Sequence, residues 1–88
     1  MEVVFTKQFE KDIRKITDKN LALLVEGIII EVKEADTLAQ INNLKKLSGY
    51  KNSYRIRLGD YRIGLYVNKT IVEFARFLNR KEIYRYFP

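Results

Sequence analysis

The stretch Tyr54-Arg55-Ile56-Arg57-Leu58-Gly59-Asp60-Tyr61-Arg62-Ile63-Gly64-Leu65-Tyr66 decides how the chain is read. Before Gly59-Asp60, apolar Tyr54, Ile56 and Leu58 alternate with Arg55 and Arg57; after it, Tyr61, Ile63 and Leu65 alternate with Arg62, Gly64 and Tyr66. Successive strand residues face opposite sides of a sheet, so this alternation makes one apolar and one polar face. Gly-Asp between two such runs is a two-residue turn signal, because glycine tolerates positive φ and Asp bonds locally to the turn. The stretch therefore predicts a β-hairpin carrying Arg55, Arg57 and Arg62 on one side, with Tyr66 beside them. Residues two apart on a strand are roughly 6.6–6.8 Å apart, the scale of neighbouring nucleotide phosphates. One such arginine usually just solvates a sheet face; three on one hairpin point to an anion-binding surface.

Charge elsewhere agrees with this. Residues 1–44 hold 6 Lys+Arg against 8 Asp+Glu, a net −2, while residues 45–88 hold 11 against 3, a net +8. All six tyrosines lie in the second half. Cations neutralise phosphates and flat rings stack on bases, so a basic segment interleaved with tyrosines suits nucleic acid; a basic surface also suits an acidic protein. The 88 residues suffice for one domain, 1–88, and 47% hydrophobic against 32% charged residues places the chain in the globular range. The longest apolar run, Gly27-Ile28-Ile29-Ile30, is bounded by Glu26 and Glu31 and is too short to span a membrane. Met1-Glu2-Val3-Val4-Phe5 lacks the basic region and cleavage site of a signal peptide. The absence of cysteine fits a reducing cytoplasm, and with no histidine either there is no imidazole base, Ser-His-Asp triad or histidine metal site.

Working outward, Glu2 to Phe5 reads as a short strand. Thr6 caps a helix with Phe9, Ile13 and Ile16 on one face, and Asp18 caps a second helix from Lys19 to about Glu34. Leu21, Leu24, Val25, Ile28 and Val32 form the core stripe of that second helix, broadened by Leu23, Ile29 and Ile30. Asp36-Thr37-Leu38 can open a further helical turn, and Leu44, Leu47 and Tyr50 anchor a connecting loop. Asn68-Lys69 is a tight turn, the last strand runs to about Leu78, and Asn79 to Pro88 forms a loop or short terminal helix. The order β-α-α-β-β-β predicts an α+β fold: a mostly antiparallel sheet with an αα-hairpin on one face, a short C-terminal tail, and the other face partly open.

Two clusters can carry chemistry. Arg55, Arg57 and Arg62 form the first, preceded by Lys51; Arg76, Arg80, Tyr84 and Arg85 form the second, with Arg76 and Arg80 sharing a strand face by parity. Arginine stays charged and binds phosphate bidentately, and so stabilises charge that builds on a phosphodiester. Tyr84 can donate to a leaving oxygen, stack on a base, or pack the tail onto the sheet. Asp60 sits in a turn, Glu82 in the tail, and Glu73 on the strand face opposite Arg76, so no carboxylate pair forms. No metal-ligand spacing and no glycine-rich phosphate loop is present. Arginines and a tyrosine suffice for RNA, whose 2′-hydroxyl is an internal nucleophile that needs mainly alignment and charge stabilisation.

Leu47-Ser48-Gly49, the hairpin from Tyr54 to Ile63, and Asn79-Arg80-Lys81-Glu82-Ile83-Tyr84-Arg85, in this order and spacing, resemble the RelE/ParE superfamily of type II toxins over nearly the whole chain. In its RelE branch the resemblance implies an mRNA interferase: a metal-independent endoribonuclease that cuts ribosome-bound messages by 2′-hydroxyl attack, leaves a 2′,3′-cyclic phosphate and inhibits translation. It implies a cognate acidic antitoxin, with ribosome and mRNA as the other partners, no small-molecule cofactor and a cytoplasmic location. It also implies Arg57, Arg62, Arg80 and Tyr84 as catalytic residues, and Arg55, Arg76, Arg85 and Lys51 as RNA and phosphate binders. Asn79 stands where many relatives carry histidine, and the connector before Leu47 lacks the glutamate that some branches use as a base. The same resemblance leaves open a ParE-like inhibitor of DNA gyrase, and an inactive RNA-binding relative.

Overall fold

A computed structural model describes all residues, Met1–Pro88. Strand β1 (Glu2–Phe5) leads into helices α1 (Lys7–Arg14) and α2 (Lys19–Glu34). A 3-10 turn (Leu38–Gln40) precedes strands β2 (Leu44–Lys46), β3 (Ser53–Leu58), β4 (Tyr61–Asn68) and β5 (Ile71–Asn79), and helix α3 (Arg80–Tyr86) ends the chain. The sheet order is β1-β5-β4-β3-β2, antiparallel except for the β1–β5 pair. The expected α+β architecture is present, with one addition, the fifth strand β2 supplied by the connector; of the two forms expected for the tail, it takes the short helix.

Both predicted helix caps form: Thr6 Oγ1 accepts from Phe9 N at 3.0 Å, and Asp18 Oδ1 accepts from Asn20 N and Leu21 N at 2.9 and 3.3 Å. They satisfy amides that a helix start otherwise leaves without partners. α1 and α2 cover one sheet face over a core of Phe9, Val25, Val32, Ile56, Ile63, Leu65, Val72 and Phe74. Phe5, Phe9 and Phe74 meet at centroid separations of 5.4–5.8 Å. The stripe expected on α2 is only partly core. Leu24, expected in the core stripe, is 55% exposed, and Leu23 and Ile30, expected to broaden it, are 64% and 46% exposed, because a helix lying over a sheet buries only one side.

The hairpin forms as read, with Ile56 opposite Ile63, Arg57 opposite Arg62, and Leu58 opposite Tyr61 closing a two-residue turn. Gly59 has φ +58, which glycine adopts without steric cost. The next turn is one residue later than expected: Asn68 pairs with Ile71, so Lys69-Thr70 form the loop, with Lys69 at φ +57.

β5 contains a bulge. Gly64 opposes Arg76 but Leu65 opposes Phe74, so Ala75 is the extra residue. The bulge shifts parity, bringing Glu73 (opposite Tyr66) to the same side of the sheet as Arg76 rather than the reverse side. Past the bulge β1 no longer covers the edge of β5, and α1 takes its place. Thr6 N donates to Phe74 O at 3.0 Å, Thr6 Oγ1 to Ala75 O at 2.8 Å, and Phe77 N to Asp12 Oδ2 at 2.9 Å. Asp12 also holds Arg76 bidentately, at 2.8 Å to Nε and 3.2 Å to Nη2, with side chains 2% and 19% exposed respectively.

The second sheet face is not simply open. α3 crosses it, anchored by Ile83 and Phe87 in a small core with Leu47 and Ala75, against which Tyr66 and Leu78 pack. Phe87 lies on the bare backbone of Gly64, where a Cβ would stand 2.6 Å from its ring. Tyr66, expected beside the arginines, instead packs on Phe87 at a 5.0 Å centroid distance.

Two outcomes test this account. Asp12→Ala strands a half-buried guanidinium and a buried amide, and is expected to cost about 3 kcal/mol, seen as a melting temperature lower by about 12 °C or more; a loss below about 1 kcal/mol would show that Asp12 is not a support. Gly64→Ala is expected to cost about 1–3 kcal/mol by overpacking and to speed amide exchange in α3 while leaving α1 and α2 protected. Uniform exchange across the chain would contradict it.

Candidate RNA-binding cleft

The hairpin arginines enter the site because β3 and β4 point Arg55, Arg57 and Arg62 to the face away from α1 and α2. Arg57 and Arg62 are directly opposed, an arrangement of like charges that opposes folding unless an anion lies between them. β2 adds a cation that the sequence reading did not single out. Lys45 pairs with Arg55 in register, so a row Lys45–Arg55 runs beside the pair Arg57–Arg62. Three residues of strand are too few for periodicity to reveal; only the cross-strand bonds define β2.

These residues line a cleft of about 500 Å³ with Asn43, Leu44, Leu47 and Tyr84. Its walls contain no carboxylate. Arg57 is exposed, while Arg62 is half-buried and folds back on the hairpin turn, its Nη1 donating to Gly59 O at 2.7 Å and Tyr61 O at 2.8 Å. That leaves Nε and Nη2 of Arg62 for a ligand. Arg55 places its guanidinium carbon 4.5 Å from the centroid of the Tyr84 ring, a cation–π distance. Its Nε is buried with no acceptor in the chain, and buried donors are almost always satisfied. The arrangement offers an anion a charged donor at the cleft floor.

Tyr84 reaches the cleft because α3 is fixed by its neighbours. Ile83 and Phe87, one turn apart, are buried in the small core, while Tyr84 is 68% exposed. The tail is thus packed by Ile83 and Phe87, and the Tyr84 ring is left for the cleft, with Arg55 on one side of it. Asn79, where relatives were expected to carry histidine, starts α3 by accepting from Lys81 N at 2.9 Å.

The other residues singled out by sequence do not join the cleft. Arg76 and Arg80 do not act as a pair. Arg76 is held by Asp12, with its guanidinium carbon 5.5 Å from the centroid of the Tyr86 ring, so it is a structural tie rather than a free phosphate ligand. Arg80 opens α3, its amide donating to Asp60 O at 2.8 Å, which sets it at the hairpin tip, one helical turn before Tyr84 and outside the cleft lining. Arg85 is exposed in the last turn of α3, and Lys51 is exposed in the loop between β2 and β3; neither lines the cleft. Asp12 was missed because a charged residue inside an amphipathic helix usually marks its solvent side.

The sequence model of the family described as the ParE toxin of type II toxin-antitoxin systems, parDE, matches residues 3–84. Toxin RelE3 of Methanocaldococcus jannaschii is 42% identical to the chain over the full length of both. Among solved structures, the RelB-RelE antitoxin-toxin complex from Methanococcus jannaschii is similar at TM-score 0.82 and 40% identity, covering 97% of this chain and 99% of that one. The archaeal RelE-RelB complex from Pyrococcus horikoshii OT3 shares the fold at TM-score 0.73 and 23% identity, covering 90% and 93%. No helix of the chain is long and apolar enough to cross a membrane. With a family match over residues 3–84 and a relative alike from end to end, the chain belongs to the RelE/ParE superfamily of type II toxins.

Proposed function

We propose that this toxin is an mRNA interferase that cleaves RNA in the Lys45–Arg55–Arg57–Arg62 cleft and so inhibits translation. One observation carries the reading: four cations and a tyrosine converge on one cleft whose lining has no carboxylate. In the reaction the 2′-hydroxyl gives up its proton to solvent as its oxygen attacks the adjacent phosphorus, the bond from phosphorus to the 5′-oxygen breaks, and that oxygen takes a proton from the Tyr84 hydroxyl, so that a 2′,3′-cyclic phosphate and a 5′-hydroxyl result. The nucleophile belongs to the substrate, so the protein has to align it and stabilise the charge that develops. Arg57 and the free nitrogens of Arg62 suit the scissile phosphate. Arg55 suits the flanking one, or orients Tyr84. The ring face of Tyr84 not occupied by Arg55 suits stacking on an unpaired base, the usual mode of single-strand recognition.

The partners follow the same chemistry. The relatives from Methanococcus jannaschii and Pyrococcus horikoshii were solved with an antitoxin. The +8 half of this chain suits a cognate acidic antitoxin, a segment that folds on contact and masks the cleft. The substrate on this reading is message bound to the ribosome, in a cytoplasmic setting, within one 1–88 toxin domain. A second reading, a ParE-like gyrase inhibitor, is favoured by the description of the matching family model; it makes no use of the Arg55–Tyr84 pair.

Inducible expression should arrest growth and produce cut messages. Arg57→Ala and Tyr84→Phe are each expected to lower cleavage about 100-fold or more, in line with the loss of one charge-stabilising or proton-transferring group. Growth arrest with intact messages, together with inhibited gyrase supercoiling, would transfer the assignment to the second reading. Single-stranded RNA binding should weaken with salt, log K falling against log salt with a slope of about −3 for four phosphate contacts. Removing Lys45, Arg55 or Arg57 should each reduce that slope by about 0.7; an unchanged slope would mean that the residue meets no phosphate.

A further inference from the structure

The outer side of α2 is unlike that of an ordinary surface helix. Val25 and Val32 are buried beneath it, and Leu21 and Ile28 are half-buried. At 100° per residue, Leu23 and Ile30 fall on the reverse side, where polar residues normally stand, and they are 64% and 46% exposed. Gly27 lies between them, and a Cβ there would meet nothing within 4 Å. Lys19 and Glu34 close the two ends of this stripe, and Lys19, Leu23, Ile30 and Glu34 fall within about 60° of one another around the helix. The stripe is thus apolar in the middle and opposite in charge at its ends.

We propose that two copies of the chain pair through this stripe, with α2 antiparallel to α2 about a twofold axis between Glu26 and Gly27. In that register Leu23 of each copy faces Ile30 of the other, Lys19 faces Glu34, and Glu26 lies over the bare backbone of Gly27. A twofold interface uses one patch twice and must complement itself; this stripe does so only when antiparallel, since a parallel pairing sets Lys19 against Lys19 and Glu34 against Glu34. The distribution of charge selects a second copy over the other faces. α1 and α2 belong to the half with net −2, and the sheet half carries +8, so pairing through the helices turns the two arginine clefts outward and keeps like charges apart. An acidic partner matches the cleft face rather than this one, where both signs of charge are present. One face of a 16-residue helix is small beside the roughly 1,600 Å² of a standard interface, so the pairing depends on concentration.

Sedimentation of the purified full-length chain over a concentration series should show a mass rising from 10.5 kDa towards twice that value. Lys19→Glu alone and Glu34→Lys alone should each stay monomeric where the parent chain pairs, and an equimolar mixture of the two should pair again. The chain has no cysteine of its own, so Leu23→Cys mixed with Ile30→Cys should form a disulfide-linked dimer. Leu23→Cys alone should not, because antiparallel copies separate that residue from its equivalent by seven residues, about 10.5 Å along the axis. A monomer at every concentration overturns the proposal, as does Leu23→Cys crosslinking to itself more readily than the mixture. A free chain that stays monomeric while Lys19→Glu weakens antitoxin binding also overturns it and assigns the stripe to that partner.

Discussion

The carboxylate of Asp12, sealed beneath α1, receives the amide of Phe77 at 2.9 Å and the guanidinium of Arg76 at 2.8 and 3.2 Å, and much of the molecule hangs on those three bonds. β5 is the strand to which β1, β4 and α1 all attach, and its edge is uncovered once β1 ends at Phe5. A strand edge inside a folded protein needs partners for its amides, and a carboxylate on a helix supplies one. The same contact neutralises Arg76, whose other side approaches Tyr86 of α3. One buried anion therefore joins the helical layer, the bulged strand and the terminal helix.

Position of the terminal helix decides whether there is a site. Gly64 leaves room for Phe87 on the sheet, and the bulge turns Ala75 into the small core beneath α3. With Ile83 and Phe87 facing inward, Tyr84 emerges over Arg55 at 4.5 Å. Two apolar anchors thus aim a polar group that would otherwise be a mobile ring on a short tail. This is the usual division of labour, in which a rigid scaffold positions exposed chemistry.

The cleft itself holds like charges together. Arg57 opposes Arg62, Lys45 sits beside Arg55, and no carboxylate lines the walls. Such an arrangement costs stability in the free protein and returns it when an anion binds. Arg62 limits the cost by folding one nitrogen onto the carbonyls of the hairpin turn.

The hairpin, the two capped helices, the basic second half and the arginines on one sheet face were legible from the order of residues alone. All of these follow from periods of 2 and 3.6 residues, turn residues and charge, which are local properties. The family resemblance was legible for the same reason, through motifs in order along the chain. It took the packed layers to show that Lys45 belongs to the cleft, that Arg76 is spent on Asp12, that Arg80 and Arg85 stay outside, and that Tyr84 rather than Tyr66 stands beside Arg55. β2 exists through bonds to β3, parity along β5 is broken by one bulged residue, and Asp12 is buried by partners 64 and 65 residues away. Contacts of that range depend on how the layers meet, and no local pattern encodes them.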